Sequence, residues 1–285
     1  MTSDQNMASG NQQQTFPTLY IPHGGGPCFF MDWTMGPEDT WHKMASWLCQ
    51  LGESIGARPS QIVVCSAHWE SESIHINANP SPALIYDYAG FPPHTYELEY
   101  PAPGSPQLAT QIKALLDTAG ISAALDSEHG FDHGTFIPFK LIYPEANIPL
   151  VQISLRHDLD PTHHIAVGRA LAPLRQQGTL IVGSGMSYHN MQTLMTPGKD
   201  KTDAREFDHW LRSTCATMGR ERAHLLCDWQ NAPGALEAHP REEHLLPLML
   251  AAGAAENEEG VAIYRDQVLG AQVSAIQFGP SLAPH

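Results

Sequence analysis

Three apolar runs in this chain each lead into a histidine that has glycine or serine close by. They are residues 19–27 (LYIPHGGGP), 62–68 (IVVCSAH) and 180–189 (LIVGSGMSYH). Their apolar residues are continuous and do not alternate with polar ones, which is typical of strands covered on both faces in a parallel sheet. Ligands bind outside the carboxyl ends of such strands. We therefore expect His23, His68 and His189 to converge on one metal ion at that edge of the sheet.

The three glycines after His23 relax the steric limits on the turn that follows. Gly24, Gly25 and Gly26 have no Cβ, so the chain can bend sharply and another group can approach its backbone. We expect them to leave room beside His23. A glycine run also suits a phosphate cradle at a helix N-terminus, but the sequence holds no GxGxxG or GK[ST] pattern and no basic residue near this turn.

The order of apolar segments predicts an α/β fold with one central, mixed and largely parallel sheet flanked by helices. The predicted strands cover residues 16–22, 61–67, 73–77, 121–125, 148–155, 179–183, 261–264 and 273–278. The predicted helices cover residues 38–55, 105–119, 160–177, 203–226 (as one helix or two) and 240–255. Ser105 and Asp160 are the expected N-caps of two of these helices. The final two strands are expected to pair in antiparallel fashion.

Two longer segments between these elements are predicted to be loops. Residues 80–106 are rich in proline and aromatic residues, a composition that is unusual in flexible linkers, so we expect a structured loop with short strands that lies over the site. Residues 127–138 (SEHGFDHGTFIP) form a second loop that carries His129 and His133. Loops of this length are usually functional or disordered, and the aromatic residues favour a functional role for the first.

Composition excludes several classes of partner. The chain has 285 residues and a formal net charge of −15, which argues against nucleic acid and anionic membrane surfaces as ligands because both require clustered Lys and Arg. No apolar run approaches the about 20 residues that a membrane-spanning helix needs. The five cysteines are scattered and form no CxxC pair, which favours free thiols in a reducing cytoplasm.

The start of the chain differs in composition from the remainder. Residues 1–15 are polar and lack the basic start and apolar core of a secretory signal, so we expect a disordered tail. We assign residues 16–285 to a single catalytic domain.

The sixteen histidines outnumber the fifteen Lys and Arg residues, so each must be weighed separately. His244 lies at the start of a predicted helix in HPREEHLLP, where Glu242, Glu243 and His244 point about 100° apart. This pattern lacks the paired histidines of an HExxH zinc protease. His133 in FDHG either lines the pocket or caps the loop. The adjacent His163 and His164 are expected on a solvated helix surface.

Two other chemistries fit the motifs less well. The segment GSGMS is not the GxSxG elbow of a serine hydrolase. Cys28 follows the glycine turn and is a candidate nucleophile, but no helix N-terminus or basic neighbour is evident to lower its pKa.

Seven motifs together resemble the class III extradiol ring-cleavage dioxygenases, most closely the 4,5-DOPA extradiol dioxygenases. They occur in the same order over nearly the whole chain, from about residue 20 to residue 278. The motifs are HGGGP (23–27), SAHWES (66–71), YDYAGFP (86–92), YPAPG (100–104), FDHGTFIPFKLIYPEANIP (131–149), GSGMSYHN (183–190) and HPREEHLLPL (239–248).

The resemblance implies a mixed α/β fold, one divalent metal and O₂-dependent opening of a catechol ring to a semialdehyde. It assigns His23 and His68 as two metal ligands and His244 as the third. It assigns His189 as the acid/base catalyst and a neighbour of the metal, and His133 as a second catalytic histidine of the pocket.

The resemblance leaves the metal and its third ligand open. The related two-histidine, one-carboxylate set of non-haem Fe(II) oxygenases would be completed by Glu243, whereas an all-histidine set also suits zinc. Ring cleavage requires Fe(II), and the protein as purified can carry Zn(II). Tyr86, Phe91 and His94 of the aromatic segment are the candidates for substrate contact.

The predicted partners are therefore a small catechol, such as DOPA, and O₂, with no nucleic acid and no membrane. We expect a monomer or a small homo-oligomer. The alternative from a different functional class is a zinc-binding scaffold of the same fold that acts as a hydrolase or as a non-enzymatic interaction protein.

Overall fold

One sheet of eight strands contains the apolar runs that the sequence predicts to be buried. The computed structural model describes residues 15–196 and 198–280. The strands lie in the order β4-β3-β5-β2-β6-β1-β8-β7. They are β1 (Thr18–Pro22), β2 (Gln61–Ser71), β3 (Ile74–Asn77), β4 (Ala123–Asp126), β5 (Leu150–Arg156), β6 (Thr179–Gly185), β7 (Gly260–Val268) and β8 (Ala271–Phe278).

The centre of this sheet is parallel. Strand β6 pairs in parallel with β1 and β2, and β2 pairs in parallel with β5, whereas β8 joins β1 and β7 in antiparallel fashion. All the residues of β1 and β6 are buried, as expected for strands covered on both faces. The predicted single-domain α/β fold with a mixed, mostly parallel sheet is confirmed, as is the antiparallel final pair.

Helices cover the sheet. They are α1 (His42–Ser54), α2 (Pro106–Thr118), α3 (His133–Ile142), α4 (Pro161–Leu171), α5 (Met191–Leu194), α6 (Thr202–Ala216), α7 (Gly219–Cys227), α8 (Ala235–Ala238) and α9 (Leu246–Ala254). The two predicted N-caps are confirmed, since Ser105 Oγ accepts from the Leu108 N–H at 3.2 Å and Asp160 Oδ1 accepts from the Thr162 N–H at 2.9 Å. The predicted segment 203–226 forms two helices, α6 and α7.

Three predicted boundaries next to histidines are wrong. Strand β2 continues to Ser71, so His68 lies inside it, where the register against β5 shifts between Cys65 and Glu70. Helix α3 begins at His133 in a segment predicted to be a loop. Helix α9 begins at Leu246, after His244, and has Pro247 in its first turn, where proline removes no helical hydrogen bond.

The predicted loop at 127–138 has a helical second half for two local reasons. The Asp132 side chain accepts from the Thr135 N–H at 3.1 Å and caps α3. Gly134 does not break the helix. It allows close packing, because a Cβ at this position would overlap Ser66 Oγ of β2.

The aromatic segment is structured mainly by its own side chains. Tyr86 donates a hydrogen bond to the Leu98 carbonyl and Tyr88 donates one to the Thr95 carbonyl, both at 2.6 Å. The predicted short strands are wrong, because the segment holds a 3-10 turn at Pro93–Glu97 and a single bridge from Leu84 to Phe131. Its fixed course follows from these tyrosine hydrogen bonds.

Residues 1–14 and 281–285 of the chain lie outside the described residues. The predicted disordered tail at 1–15 therefore falls almost entirely outside them and stays a prediction, as does the extent of the domain to residue 285. Within the described residues, every helix is too short or too polar to cross a lipid bilayer.

His164 is buried, contrary to the prediction of a solvated surface position. Its Nδ1–H donates to the Asp160 carbonyl at 2.7 Å, and its Nε2 accepts from the Arg156 N–H at 3.1 Å. Both nitrogens are satisfied only in the neutral ring, since a proton on Nε2 would face another N–H. Burial lowers the pKa of His164 to about 4.

This buried imidazole predicts loss of stability in acid. Because the folded pKa of His164 is about 4 and the reference value is 6.5, its contribution is present above pH 6.5 and is lost as pH falls. At pH 5 the loss is about 2 kcal/mol. We expect His164→Gln to reduce the fall in the free energy of unfolding between pH 7 and pH 5 by about this amount, measured by urea denaturation.

The matched control is His209→Gln, which removes an exposed imidazole from α6. Equal pH dependence in both variants would contradict the assignment of a neutral His164.

Candidate metal centre

Five histidines from separate parts of the chain meet at the carboxyl edge of the sheet. His23 follows β1, His68 lies in β2, His133 begins α3, His189 follows β6 and His244 precedes α9. The His23 ring centroid lies 4.9 Å from that of His68, 5.4 Å from that of His133 and 5.2 Å from that of His244. The His189 ring stacks on His244 at 3.3 Å. The structure thus brings together the five histidines that the sequence singles out.

Close backbone contacts hold His244 against the end of β6. Its carbonyl oxygen accepts from the Tyr20 hydroxyl at 2.8 Å and from the Met186 N–H at 3.2 Å. A Cβ on Gly185 would overlap the same oxygen. Gly185 is therefore required, because a side chain at this position would keep the segment that carries His244 away from β6.

Three of the five rings form a compact set of nitrogen ligands. His23, His68 and His244 each offer one ring nitrogen, and these atoms lie within 4.8 Å of one another. His23 Nε2 and His68 Nε2 are 3.1 Å apart. Two nitrogens at about 2.1 Å from a common metal ion can have this separation.

The hydrogen-bond network assigns the tautomer of His23. Ser184 Oγ donates to the Gly134 carbonyl, so its oxygen is left to accept the Nδ1–H of His23 at 3.1 Å. The Nδ1 edge of His68 faces Asp87, with 3.7 Å between His68 Nδ1 and Asp87 Oδ2. The Nε2 lone pair of His23 then faces His68 Nε2, and a cation between the two nitrogens can bind both when His68 carries its proton on Nδ1. The residues present therefore fit a divalent metal.

Burial keeps these three rings neutral. It lowers the pKa of His23 and of His244 well below the ordinary value, and it lowers the pKa of His68 to about 3. The other imidazoles of the cluster add to each shift by charge repulsion. Metal ions bind neutral imidazole, so at pH 7 these nitrogens are available without prior loss of a proton.

Two carboxylates hold the outer edges of the cluster. Asp87 Oδ1 accepts from both His133 Nδ1 at 2.8 Å and the His133 backbone N–H at 2.9 Å. Burial raises the pKa of Asp87, but the hydrogen bonds and charge of His133 outweigh it, so the net pKa is below the ordinary value. Glu243 Oε1 lies 2.8 Å from His244 Nδ1 and 3.3 Å from His189 Nδ1.

Glu243 and His244 thus occupy different positions in the structure. His244 belongs to the three-histidine set, whereas Glu243 contacts His244 Nδ1 and forms with His189 and His244 a second group whose ligand atoms lie within 4.8 Å of one another. Asp87 is not among the site residues predicted from the sequence. It lies in YDYAGFP, and its partner His133 is 46 residues further along the chain, so no local spacing links the two residues.

The aromatic segment contacts the site through residues around the glycine turn. Phe91 packs edge-on against Tyr88 at 5.6 Å between centroids, and Tyr88 lies 5.8 Å from the His133 ring. The Tyr86 ring packs against Phe136 at 5.8 Å. His94 is exposed and its Nε2 lies 3.0 Å from the Phe30 carbonyl oxygen. Tyr88 was not among the predicted substrate contacts.

The glycine turn is packed against side chains. Gly24 and Gly26 have φ values of +81° and +58°, which favour glycine. A Cβ on Gly26 would lie 3.1 Å from Phe91, and one on Gly24 would lie 2.6 Å from Cys28 Sγ. Burial raises the pKa of the Cys28 thiol, which argues against the alternative of a cysteine nucleophile.

Comparison with known proteins gives consistent family matches. A family model described as the catalytic LigB subunit of aromatic ring-opening dioxygenase matches residues 17–277. A protein of Hapsidospora irregularis named dioxygenase tasH is 35% identical over 279 residues, with 93% of this chain and 86% of that protein covered. A 4,5-DOPA dioxygenase extradiol of Beta vulgaris is 37% identical over 259 residues, with 90% and 93% covered.

A solved structure shares the fold. The crystal structure of an uncharacterized protein from Escherichia coli K12 superposes with a TM-score of 0.74 at 31% sequence identity. The match covers 93% of this chain and 100% of that one.

The ligand geometry predicts which variant loses metal. We expect His244→Ala to weaken Zn²⁺ binding by at least about 100-fold, because it removes one of three direct nitrogen donors. Binding is measured by competition with a chromophoric chelator after the protein has been stripped of metal. Glu242→Gln, which changes the acidic residue two positions earlier, is the matched control and should bind like the wild type.

The same assay separates the two candidates for the third ligand. If Glu243→Ala lost metal as completely as His23→Ala while His244→Ala retained it, the three-histidine assignment would be wrong.

Proposed function

The chain belongs to the family of catalytic LigB subunits of aromatic ring-opening dioxygenases, and on that premise we propose that it inserts O₂ into a catechol. The substrate is DOPA or a similar catechol, and the product is a ring-opened semialdehyde that contains both oxygen atoms of O₂. The observation that carries the proposal is a set of three neutral imidazoles, two buried and one half-buried, with two further histidines beside it.

The proposed metal ligands are His23, His68 and His244. Fe(II), when bound there, would supply redox chemistry toward O₂ and open positions for the two catechol oxygens. Zinc has no redox chemistry, so protein that holds Zn²⁺ would be inactive in ring cleavage. The donor set of neutral nitrogens accepts either metal, and activity therefore depends on which one is loaded.

His189 is the proposed acid/base catalyst. Its ring stacks on His244 at 3.3 Å, and Glu243 accepts a hydrogen bond from its Nδ1, which leaves Nε2 free for a substrate proton. It would take a proton from the catechol hydroxyl on binding and return one to the product. A positioned histidine suits both transfers near neutral pH.

His133 is proposed to hydrogen-bond the substrate from the opposite side. Its Nδ1 is occupied by Asp87 at 2.8 Å, so only Nε2 is left for the pocket. The His133 and His68 rings are 3.9 Å apart between centroids, which puts this nitrogen next to a proposed metal ligand.

The aromatic segment is the proposed substrate wall. Phe91 contacts the glycine turn that follows His23, so a flat catechol ring in the pocket would lie against it. We propose Phe91, Tyr86 and His94 as substrate contacts. Tyr88 joins them because it lies 5.8 Å from His133.

Family membership supports an oxygenase over the alternative of a zinc hydrolase or a non-enzymatic scaffold. It implies a small aromatic substrate and O₂ as partners. A cytoplasmic location and a monomeric or small homo-oligomeric state stay predictions from the sequence.

The proposal is tested by anaerobic loading with Fe(II), followed by air and a panel of catechols that includes DOPA. We expect O₂ consumption and a yellow ring-opened chromophore. Absence of both with every catechol, in protein shown to contain Fe(II), would refute ring cleavage.

A variant tests the role of His189. We expect His189→Ala to lower turnover by about 10²–10⁴-fold while most of the metal stays bound, measured as O₂ uptake and as metal per chain. His209→Ala, on the exposed face of α6, is the control and should leave turnover unchanged. Unchanged turnover in His189→Ala would show that another group moves the proton.

A further inference from the structure

We propose that Glu243 is a positioning residue that sets the tautomers of His189 and His244, and that an Arg241–Glu70 ion pair at the rim holds Glu243 in place. The proposal rests on the proposed function, because it assigns how the acid/base histidine of that site is held. It gives Glu243 a role other than that of a metal ligand.

One carboxylate oxygen serves both rings. Glu243 Oε1 lies 2.8 Å from His244 Nδ1 and 3.3 Å from His189 Nδ1. The two rings are nearly parallel, with an interplanar angle of 16°, so their Nδ1 edges face the same oxygen. A side chain that is 13% exposed thus has two neighbours that can donate to it.

An ionised carboxylate can only accept hydrogen bonds, and this determines the position of the ring protons. Each neutral ring must carry its proton on Nδ1 to donate to Glu243, so both Nε2 atoms are unprotonated. For His244, Nε2 is the nitrogen that faces the ligand set. For His189, an unprotonated Nε2 is what a general base requires.

The ionised state of Glu243 follows from its contacts. Both ring Nδ1 atoms lie within donating distance of Oε1, and the Arg241 guanidinium group lies beside Oε2, so its polar neighbours favour the carboxylate. Arg241 Nη1 lies 3.4 Å from Glu243 Oε2, the oxygen that does not contact the rings.

Arg241 is itself fixed by a second acid. Its Nη1 and Nη2 donate to Glu70 Oε1 and Oε2, each at 2.6 Å. This bidentate geometry is directional. Glu70 lies in β2, two residues after His68, so the ion pair joins the end of that strand to the segment that carries Glu243 and His244.

The contacts of Arg241 favour a role in holding Glu243 over a role in binding the substrate directly. Arg241 is half-exposed at 51%, and an arginine at the rim of a pocket is the usual partner of a substrate carboxylate. Here Glu70 accepts from both Nη atoms, and Glu243 Oε2 lies 3.4 Å from Nη1. We therefore infer that Arg241 holds Glu243 in place, and that it acts on His189 only through Glu243.

The first test uses Fe(II)-loaded full-length protein and steady-state O₂ uptake. Glu243→Gln keeps the size of the side chain, but its amide can donate to His189 Nδ1 and move the ring proton to Nε2. We expect kcat to fall by about 10²–10⁴-fold, as for loss of a general base, with KM changed less than about threefold, in protein loaded with the same amount of Fe(II) per chain as the wild type. Glu242→Gln is the control.

The second test is a double-mutant cycle. Arg241→Met should lower kcat by a smaller factor than Glu243→Gln, and it should have little further effect in the Glu243→Gln background, because both changes act through one contact. Arg220→Met, which removes an exposed arginine from α7, is the matched control. Additive effects, or a rise in KM alone for Arg241→Met, would assign Arg241 to substrate binding and overturn the proposal.

A third measurement does not depend on activity. In Zn²⁺-loaded protein with ¹⁵N-labelled histidine, long-range ¹H–¹⁵N spectra report the tautomer of each ring, and His189→Ala identifies the His189 signals. We expect Nδ1–H for His189 in the wild type and Nε2–H in Glu243→Gln. Nε2–H for His189 in the wild type, or Nδ1–H in Glu243→Gln, would overturn the proposal, whereas catechol inactivity of the wild type would refute only the proposed function.

Discussion

The site depends on one constraint, that each of its five imidazoles has its Nδ1 edge turned outward to an oxygen of the protein. Ser184 faces His23, Asp87 faces His68 and His133, and Glu243 faces His189 and His244. The Nε2 atoms of His23 and His68 are thereby directed at each other, 3.1 Å apart. Burial disfavours protonation of the three inner rings, so the cluster can remain buried without accumulating positive charge.

Close packing between backbone segments supports this histidine cluster. The parallel strands β1, β6 and β2 bring three histidines to one edge, and the register shift in β2 lets that strand continue past His68. Gly134 allows α3 to pack on β2, and Gly185 allows the chain at His244 to pack on β6. A side chain at either glycine would push a histidine-bearing segment away from the others, so the arrangement of the five histidines depends on this packing.

Much of the fold follows from local pattern. The buried strands are continuous apolar runs, and the caps of α2 and α4 are short-range side-chain contacts, so both are readable from neighbouring residues. The start of α3 is not readable from local pattern, because glycine is more typical of loops, whereas Gly134 serves packing against a strand nearly 70 positions earlier in the chain. His164 was misassigned because its burial depends on contacts with Arg156 and Asp160 that amphipathic periodicity does not report.

The sequence by itself determined the α/β class, the family and the five histidines, because apolar continuity and motif order are properties of the linear chain. Only the tertiary structure decided how those histidines are held. Asp87 reaches His133 across 46 residues, and Glu70 reaches Arg241 across 171. The different positions of His244, in the three-histidine set, and of Glu243, against His244 Nδ1, are a matter of side-chain direction. Adjacent residues cannot show that direction until the packing of β6 against the start of α9 fixes their backbone.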